Sequence, residues 1–415
     1  MKFKLKPIEK KWILYDIGNS AFALLISTII PIYFNYLAGD AGISEVNYLA
    51  YWGYATSAAT VIVAVLGPLL GTVSDAAGRK KKIFMIALLA GALGCVFLGF
   101  MQSWIWFLLL FVFAKSAYSL SLVIYDSMLT DITSEERMDE VSAQGYAWGY
   151  IGSCVPFICS LLLVLFYDKV GLSMQTAMGI SFFLVAVWWI ALTVPLLKSY
   201  RQTHSRKPAV HAGQSGAQRL GQIVSELRKD KKVLFFLAAF FFYIDGVYTI
   251  IDMATAYGTA LGLDTTGLLL ALLLTQIVAF PAALLFGRIS RKVSASRLIL
   301  VCISAYFLIA LYGIGLHRQY QFWILAVCVG CFQGAVQSMS RSYYAKIIPA
   351  EKSGEYFGIY DIFGKGASFL GTMLMGITTQ LADNSKVGVA VIGGMLVLGF
   401  MIFHFKCRNV ETKYS

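Results

Sequence analysis

Residues Gly71–Lys82 read GTVSDAAGRKKK and separate two long apolar runs. Gly71 and Gly78 allow a tight turn that lies close against a neighbouring helix. Asp75 suits the positive N-terminal end of such a helix. Arg79, Lys80, Lys81 and Lys82 then place four cations together, directly before the next apolar run. Cations beside apolar runs are the mark of spans anchored in a bilayer. The flanking runs, 48–74 and 82–101, are long enough to span, since crossing takes roughly 20 mostly apolar residues.

The same rule applied outward gives twelve spans. They cover 12–37, 48–74, 82–101, 104–130, 140–166 and 174–197, then 233–260, 266–287, 297–316, 322–348, 355–381 and 387–406. The chain has 415 residues, 58% of them hydrophobic and 13% charged. Soluble domains carry about 25% charged residues, so this composition belongs to a polytopic membrane protein. The basic start MKFKLKPIEKKW leads into a full-length span and not a cleavable signal peptide. The expected fold is all-α: twelve transmembrane helices in two pseudo-symmetric six-helix bundles. Residues 1–197 form the first bundle, 198–232 a polar basic linker, and 233–415 the second bundle with a short tail. Within the linker, Leu220 to Lys232 suits an amphipathic helix.

Basic residues orient the spans. Of 34 Lys and Arg, three (Lys115, Arg341, Lys365) fall inside spans, and three (Lys169, Arg318, Lys386) on loops of one side. All the others lie on the opposite side, which is therefore expected to be cytoplasmic, with both termini and the linker. The net charge of +12 follows from this topology and gives no reason to expect a nucleic-acid partner. Its expected partners are membrane lipids. The seven cysteines lie in or beside apolar runs and read as packing residues. No metal-ligand spacing, nucleotide-binding loop or reactive His/Asp or Ser/Lys arrangement is found. An enzyme is not expected, and no cofactor is. The expected state is a monomer.

The halves repeat each other. At a constant offset of 215, Ser127 falls on Ser342, Ile132 on Ile347 and Glu136 on Glu351; Arg137 falls on Lys352, Glu140 on Glu355 and Gly149 on Gly364. Asp126 and Arg341 are equivalent in the same register. A weaker echo joins YDIGNS of span one to YIDGVY of span seven. Duplicated six-helix halves are a common build for secondary transporters, with the site between them.

Gly71, Asp75, Gly78, Arg79 and Lys80 match the G-x3-D-x2-G-R-K pattern of the major facilitator superfamily. The resemblance implies that Asp75 meets the start of span eleven near Glu355. Arg79 would pair with Asp131 or Asp126 at the end of span four, forming a conformational latch. FGRISRKVSASR in the second half is a degenerate copy in which Arg291 replaces the acid. KWILYDIGNSAF, YIDGVYTI and GIYDIFGKGASFLG further resemble the autophagy-related vacuolar amino-acid effluxer family and its bacterial relatives. The better-known members of that family are implicated in export of neutral amino acids from the vacuole; for this chain the resemblance to the bacterial relatives implies a multi-pass protein of a bacterial plasma membrane. The superfamily fold implies that spans one, four, seven and ten line a central cavity, flanked by two, five, eight and eleven.

Charges inside spans cost about 2.5–3.5 kcal/mol each at the helix centre, so they mark function. Lys115, Asp245 and Lys365 lie roughly 15–18 Å into spans four, seven and eleven. They are the candidates for substrate binding or proton coupling, together with Tyr118 and Asn19. Lys115 or Lys365 would hold a carboxylate, and Asp245 an amine or a proton; a structural pair between Asp245 and one of the lysines is the competing reading. Asp16 is placed about 6 Å inside the cytoplasmic boundary. With Asp126 and Arg341 it is expected to form a cytoplasmic gate, and Asn19 to point into the lower cavity. Asp16 can also serve as a proton carrier. Glu355 is expected to cap span eleven, and Asp252 to face an external vestibule.

These readings converge on a secondary transporter of a small polar solute, an amino acid or related metabolite. It would work by alternating access with proton-coupled efflux, since there is no nucleotide domain to supply energy. A lipid or drug exporter of the same fold is the second reading. A non-transporting membrane sensor is the third, for which the linker is small.

Overall fold

The computed structural model describes residues 3–206, 216–382 and 385–407. Part of the linker and most of the C-terminal tail, with Lys207, Arg408 and Lys413, lie outside the described residues. Fifteen α-helices follow in chain order among the described residues: α1 (Pro7–Ser27), α2 (Ile29–Asp40), α3 (Glu45–Ser74), α4 (Lys80–Leu98), α5 (Trp104–Ser127), α6 (Leu129–Ile132), α7 (Glu135–Leu165) and α8 (Met174–Ser199). Then come α9 (Gly216–Lys229), α10 (Lys231–Ala260), α11 (Thr265–Ile289), α12 (Ala295–Ile314), α13 (Gln319–Ile347), α14 (Ser353–Ala382) and α15 (Ser385–Lys406).

Span boundaries differ from the sequence reading by a few residues. The largest difference is in span one, which begins at Pro7 and is broken at Thr28 into α1 and α2. Pro31 accounts for the break, having no N–H to give the Ser27 carbonyl and a ring that crowds it. Side-chain caps open α3, α8 and α11, where Ser44, Ser173 and Asp264 accept from the N–H of Asn47, Thr176 and Gly267.

Burial is inverted relative to a soluble protein. Trp106, Phe113 and Leu308 are more than half exposed, while Ser142, Thr249 and Asp245 are fully buried. Apolar residues outside and polar ones inside are what a lipid solvent selects. Eleven helices among the described residues are long and apolar enough to cross a membrane. α14, 30 residues long, is the twelfth, packed against α3, α10 and α15. The chain is a multi-pass integral membrane protein.

Two six-helix bundles result, α1 to α8 and α10 to α15, touching chiefly through α3 with α14 and α7 with α11. The first contact is made by glycine. Gly67 and Gly71 on α3 face Gly354 and Gly358 on α14, four residues apart on both helices. A Cβ at Gly71 would run into the Gly354 backbone, which cannot step aside. This is close small-residue packing of the kind that joins helices in lipid. Each bundle has a buried tyrosine–serine contact: Tyr15 meets Ser121 Oγ at 2.6 Å, and Tyr243 meets Ser340 Oγ at 2.7 Å.

Candidate functional site

One end of the molecule carries the N-terminal segment, the 79–82 cations and the linker, and is called the basic end here. The bundles are tied there by ions. Arg341 on α13 reaches across to Asp126 on α5 (3.0 Å) and Asp16 on α1 (3.3 Å). Its Nε donates to Ser142 Oγ (2.9 Å) and its Nη2 to the Ser142 carbonyl (3.1 Å). The guanidinium also lies 4.7 Å from the Trp12 ring and 4.4 Å from that of Tyr146. Such stacking suits a planar, weakly hydrated cation. Gly145 leaves the space, since a Cβ there would meet Arg341, Asp16 and Trp12.

Spans one, four and ten therefore converge as the sequence suggests. Asp126 and Arg341 hold equivalent repeat positions, and equivalent positions near a pseudo-twofold axis face each other. Like charges would repel there; opposite charges pair. α1 starts at Pro7, five residues before the expected span, so Asp16 lies nine residues, roughly 14 Å, along the helix. Asn19 is buried, its Nδ2 donating to the Tyr15 carbonyl at 3.1 Å.

Further pairs surround this layer. Lys346 meets Asp139 at 2.6 Å, and Arg291 grips Glu140 with two bonds of 2.5 Å. Arg291 is the residue that replaces the acid in the degenerate second motif. Its partner Glu140 is the repeat mate of Glu355, so the second copy keeps the contact with changed charges. Sequence reasoning missed Ser142, Gly145, Tyr146 and Asp139; the overlap of the two halves around Arg341 and Arg291 was the available signal.

Asp75 accepts from the N–H of Gly354 (2.8 Å) and Glu355 (2.9 Å), capping α14 from the other bundle. The cation beside it is Lys80, not Arg79. Lys80 is buried and bonds Asp131 (3.2 Å) and Ser353 Oγ (2.9 Å), whereas Arg79 is exposed. The turn at Gly78, with φ +70°, carries Arg79 outward and the next residue inward. Glu355 does not cap its helix. It accepts from Thr72 (2.8 Å), Arg219 of α9 (2.6 Å) and Arg206 (3.3 Å). The linker is part of this assembly: Tyr200, Thr203 and the His204 N–H all bond Asp131, and the Arg206 N–H bonds the Asp75 carbonyl.

Burial, the largest influence, pushes the Asp75 carboxyl up from 3.8 to about 7, against Lys80 and the two N–H donors. Its folded-state value lies above the unfolded one, so its contribution is most favourable below about pH 4 and is lost as pH climbs through about 7. Between those values the wild type should lose thermal stability relative to Asp75→Asn. Parallel melting-temperature profiles for the two proteins would contradict this.

The mid-depth charges divide. Asp245 is fully buried inside the second bundle and meets neither Lys115 nor Lys365. Its Oδ1 accepts from the Gly371 N–H of α14 (3.0 Å) and from Thr249 Oγ1 (3.3 Å); its Oδ2 has no partner among the described residues. The echo between spans one and seven explains the placement. Aligning Tyr15 with Tyr243 and Gly18 with Gly246 sets Asp245 against Ile17, one residue past Asp16. One residue is roughly 100° of helix rotation, which turns Asp245 away from the space between bundles.

Lys365 instead pairs with Asp361, one turn back on α14, at 2.6 Å. Lys115 lies 5.8 Å from the Phe111 ring centroid and has no carboxylate within ion-pair distance among the described residues. It lies within electrostatic reach of Lys365 and of Asp252, which is exposed on α10. Asp361 acts likewise on Tyr118 and Asp126 of α5 and on Tyr248 of α10. Tyr118 is buried in the first bundle, its ring against Phe22 of α1 and Trp189 of α8.

Paired six-helix bundles joined through these contacts define a major facilitator superfamily transporter. Among solved structures, the transporter FucP in its outward conformation aligns with a TM-score of 0.73 at 13% identity, covering 96% of this chain and 97% of that one. The human organic anion transporter MFSD10 aligns with a TM-score of 0.67 at 14% identity, over 96% and 99%. These likenesses concern the fold. By sequence, the chain belongs to the family described as Vacuole effluxer Atg22 like, which matches residues 6–411. An uncharacterized MFS-type transporter, YxiO of Bacillus subtilis (strain 168), is 38% identical over 412 residues, covering 98% of this chain and 96% of that relative. Autophagy-related protein 22-1 of Aspergillus niger is 27% identical over 311 residues, covering 68% of this chain and 50% of its own length. The chain thus spans about half the length of the fungal relative it matches.

Proposed function

We propose that the chain exports a small zwitterionic solute, an amino acid or related metabolite, by proton-driven alternating access. In this reading both termini and the linker are cytoplasmic, and the layer of Asp16, Asp126 and Arg341 is the cytoplasmic gate. The Asp75–Lys80–Asp131 assembly, clasped by the linker, is the latch that holds it. Asp245 carries the coupling proton. The observation that carries the solute class is the presence of both charge signs on the facing helices of the two bundles, with Lys115 on α5 and Lys365 and Asp361 on α14. An apolar amphiphile would have no use for them. Membership of an effluxer family supports the direction.

The test is counterflow in proteoliposomes loaded with single amino acids, with and without an imposed pH gradient. Saturable exchange of at least one neutral amino acid, accelerated by the gradient, is the expected result. Movement of a fluorescent lipid or cationic dye with no amino-acid exchange would replace this reading by that of an amphiphile exporter.

A further inference from the structure

We propose that Asp361 and Lys365 hold the two charges of the transported solute, an assignment that rests on the zwitterion reading above. Asp361 takes the ammonium. Lys365, helped by Lys115, takes the carboxylate. The ion pair these residues make with each other is exchanged for two pairs with the solute.

The pair has no structural task to explain it. Both residues sit on α14, four apart, so their contact joins no two elements. The pairs of Arg341, Lys346 and Arg291 each tie one bundle to the other. An i, i+4 pair adds little to a helix, while two charges in the membrane interior are costly. The Lys365 and Asp361 side chains are 32% and 15% exposed, against 2% for Arg341, with the Lys365 Nζ itself enclosed.

Its chemistry is unfinished. An ammonium has three N–H donors, and Lys365 Nζ finds no acceptor besides Asp361 among the described residues. Lys115 lies within its electrostatic reach and has no carboxylate within ion-pair distance among the described residues, though the field of Asp252 also reaches it. Two neighbouring ammonium groups attract an incoming anion. The Asp361 and Lys365 heads are 2.6 Å apart, so small rotations bring them to the two ends of a solute whose charges are separated by a single carbon. A solute with widely spaced charges would not meet both.

The test uses three probes on the purified full chain: the neutral amino acid that binds tightest in a panel of twenty, its carboxamide, and its N-acetyl form. Affinities come from calorimetry. Wild type should bind each blocked form about tenfold or more weaker, the scale of one lost charged contact. Lys365→Gln should lose the preference for acid over amide and keep that for free amine. Asp361→Asn should do the reverse. Equal weakening of all three probes, or both preferences kept in both variants, overturns the assignment. The swapped double variant Asp361→Lys with Lys365→Asp retains a helical ion pair. It should melt like wild type and fail to bind; normal binding by it would show a purely structural pair. Failure of wild type to bind any of the twenty removes the zwitterion reading, and this assignment with it.

Discussion

Replacing Arg341 by alanine should move the protein toward states open at the basic end. The guanidinium is the shared partner of Asp16 and Asp126, and it is almost wholly enclosed. Its removal leaves two carboxylates facing each other without a counter-ion. Breaking a buried pair in this way costs about 3–5 kcal/mol. The cost falls on the closed arrangement, because parting the bundles admits water to both acids. About 3 kcal/mol already changes a two-state ratio more than about a hundredfold. A cysteine placed at Ser20, half-buried beside Gly149, reports the change. Labelling by a membrane-impermeant maleimide from the basic side should rise sharply in Arg341→Ala. Arg341→Lys keeps the charge but loses the fork and the stacking, and should fall between. Labelling of the alanine variant equal to the parent would remove Arg341 from the gate.

Asp245→Asn should keep the fold and lose gradient-driven transport. Among the described residues an ionised carboxylate at Asp245 has no cation beside it, and its Oδ2 has no donor. Charge in such a place costs several kcal/mol. The neutral acid fits, with Oδ1 still accepting from Gly371. Asparagine has nearly the same shape, keeps that acceptor and cannot release a proton. In proteoliposomes, solute exchange should persist while acceleration by a pH gradient disappears, a fall of about tenfold or more if the protonation step is worth at least one tenfold increment. Undiminished acceleration in the variant would exclude Asp245 from coupling. Loss of exchange together with poor expression would instead assign the residue to packing between α10 and α14.

The sequence alone determined the spans, because crossing a bilayer imposes a requirement on local composition that each segment meets by itself. It also marked the place of GTVSDAAGRKKK in a turn, and the shared repeat position of Asp126 and Arg341 pointed to their meeting. The tertiary structure decided which way the side chains face. Lys80 rather than Arg79 enters the interior, Asp245 lies within one bundle, and Lys365 turns to Asp361. Glu355 serves the linker and not its own helix. A single residue of offset rotates a side chain by roughly 100°. Hydropathy averaged over a span is blind to that rotation, which is set by all the neighbouring helices at once.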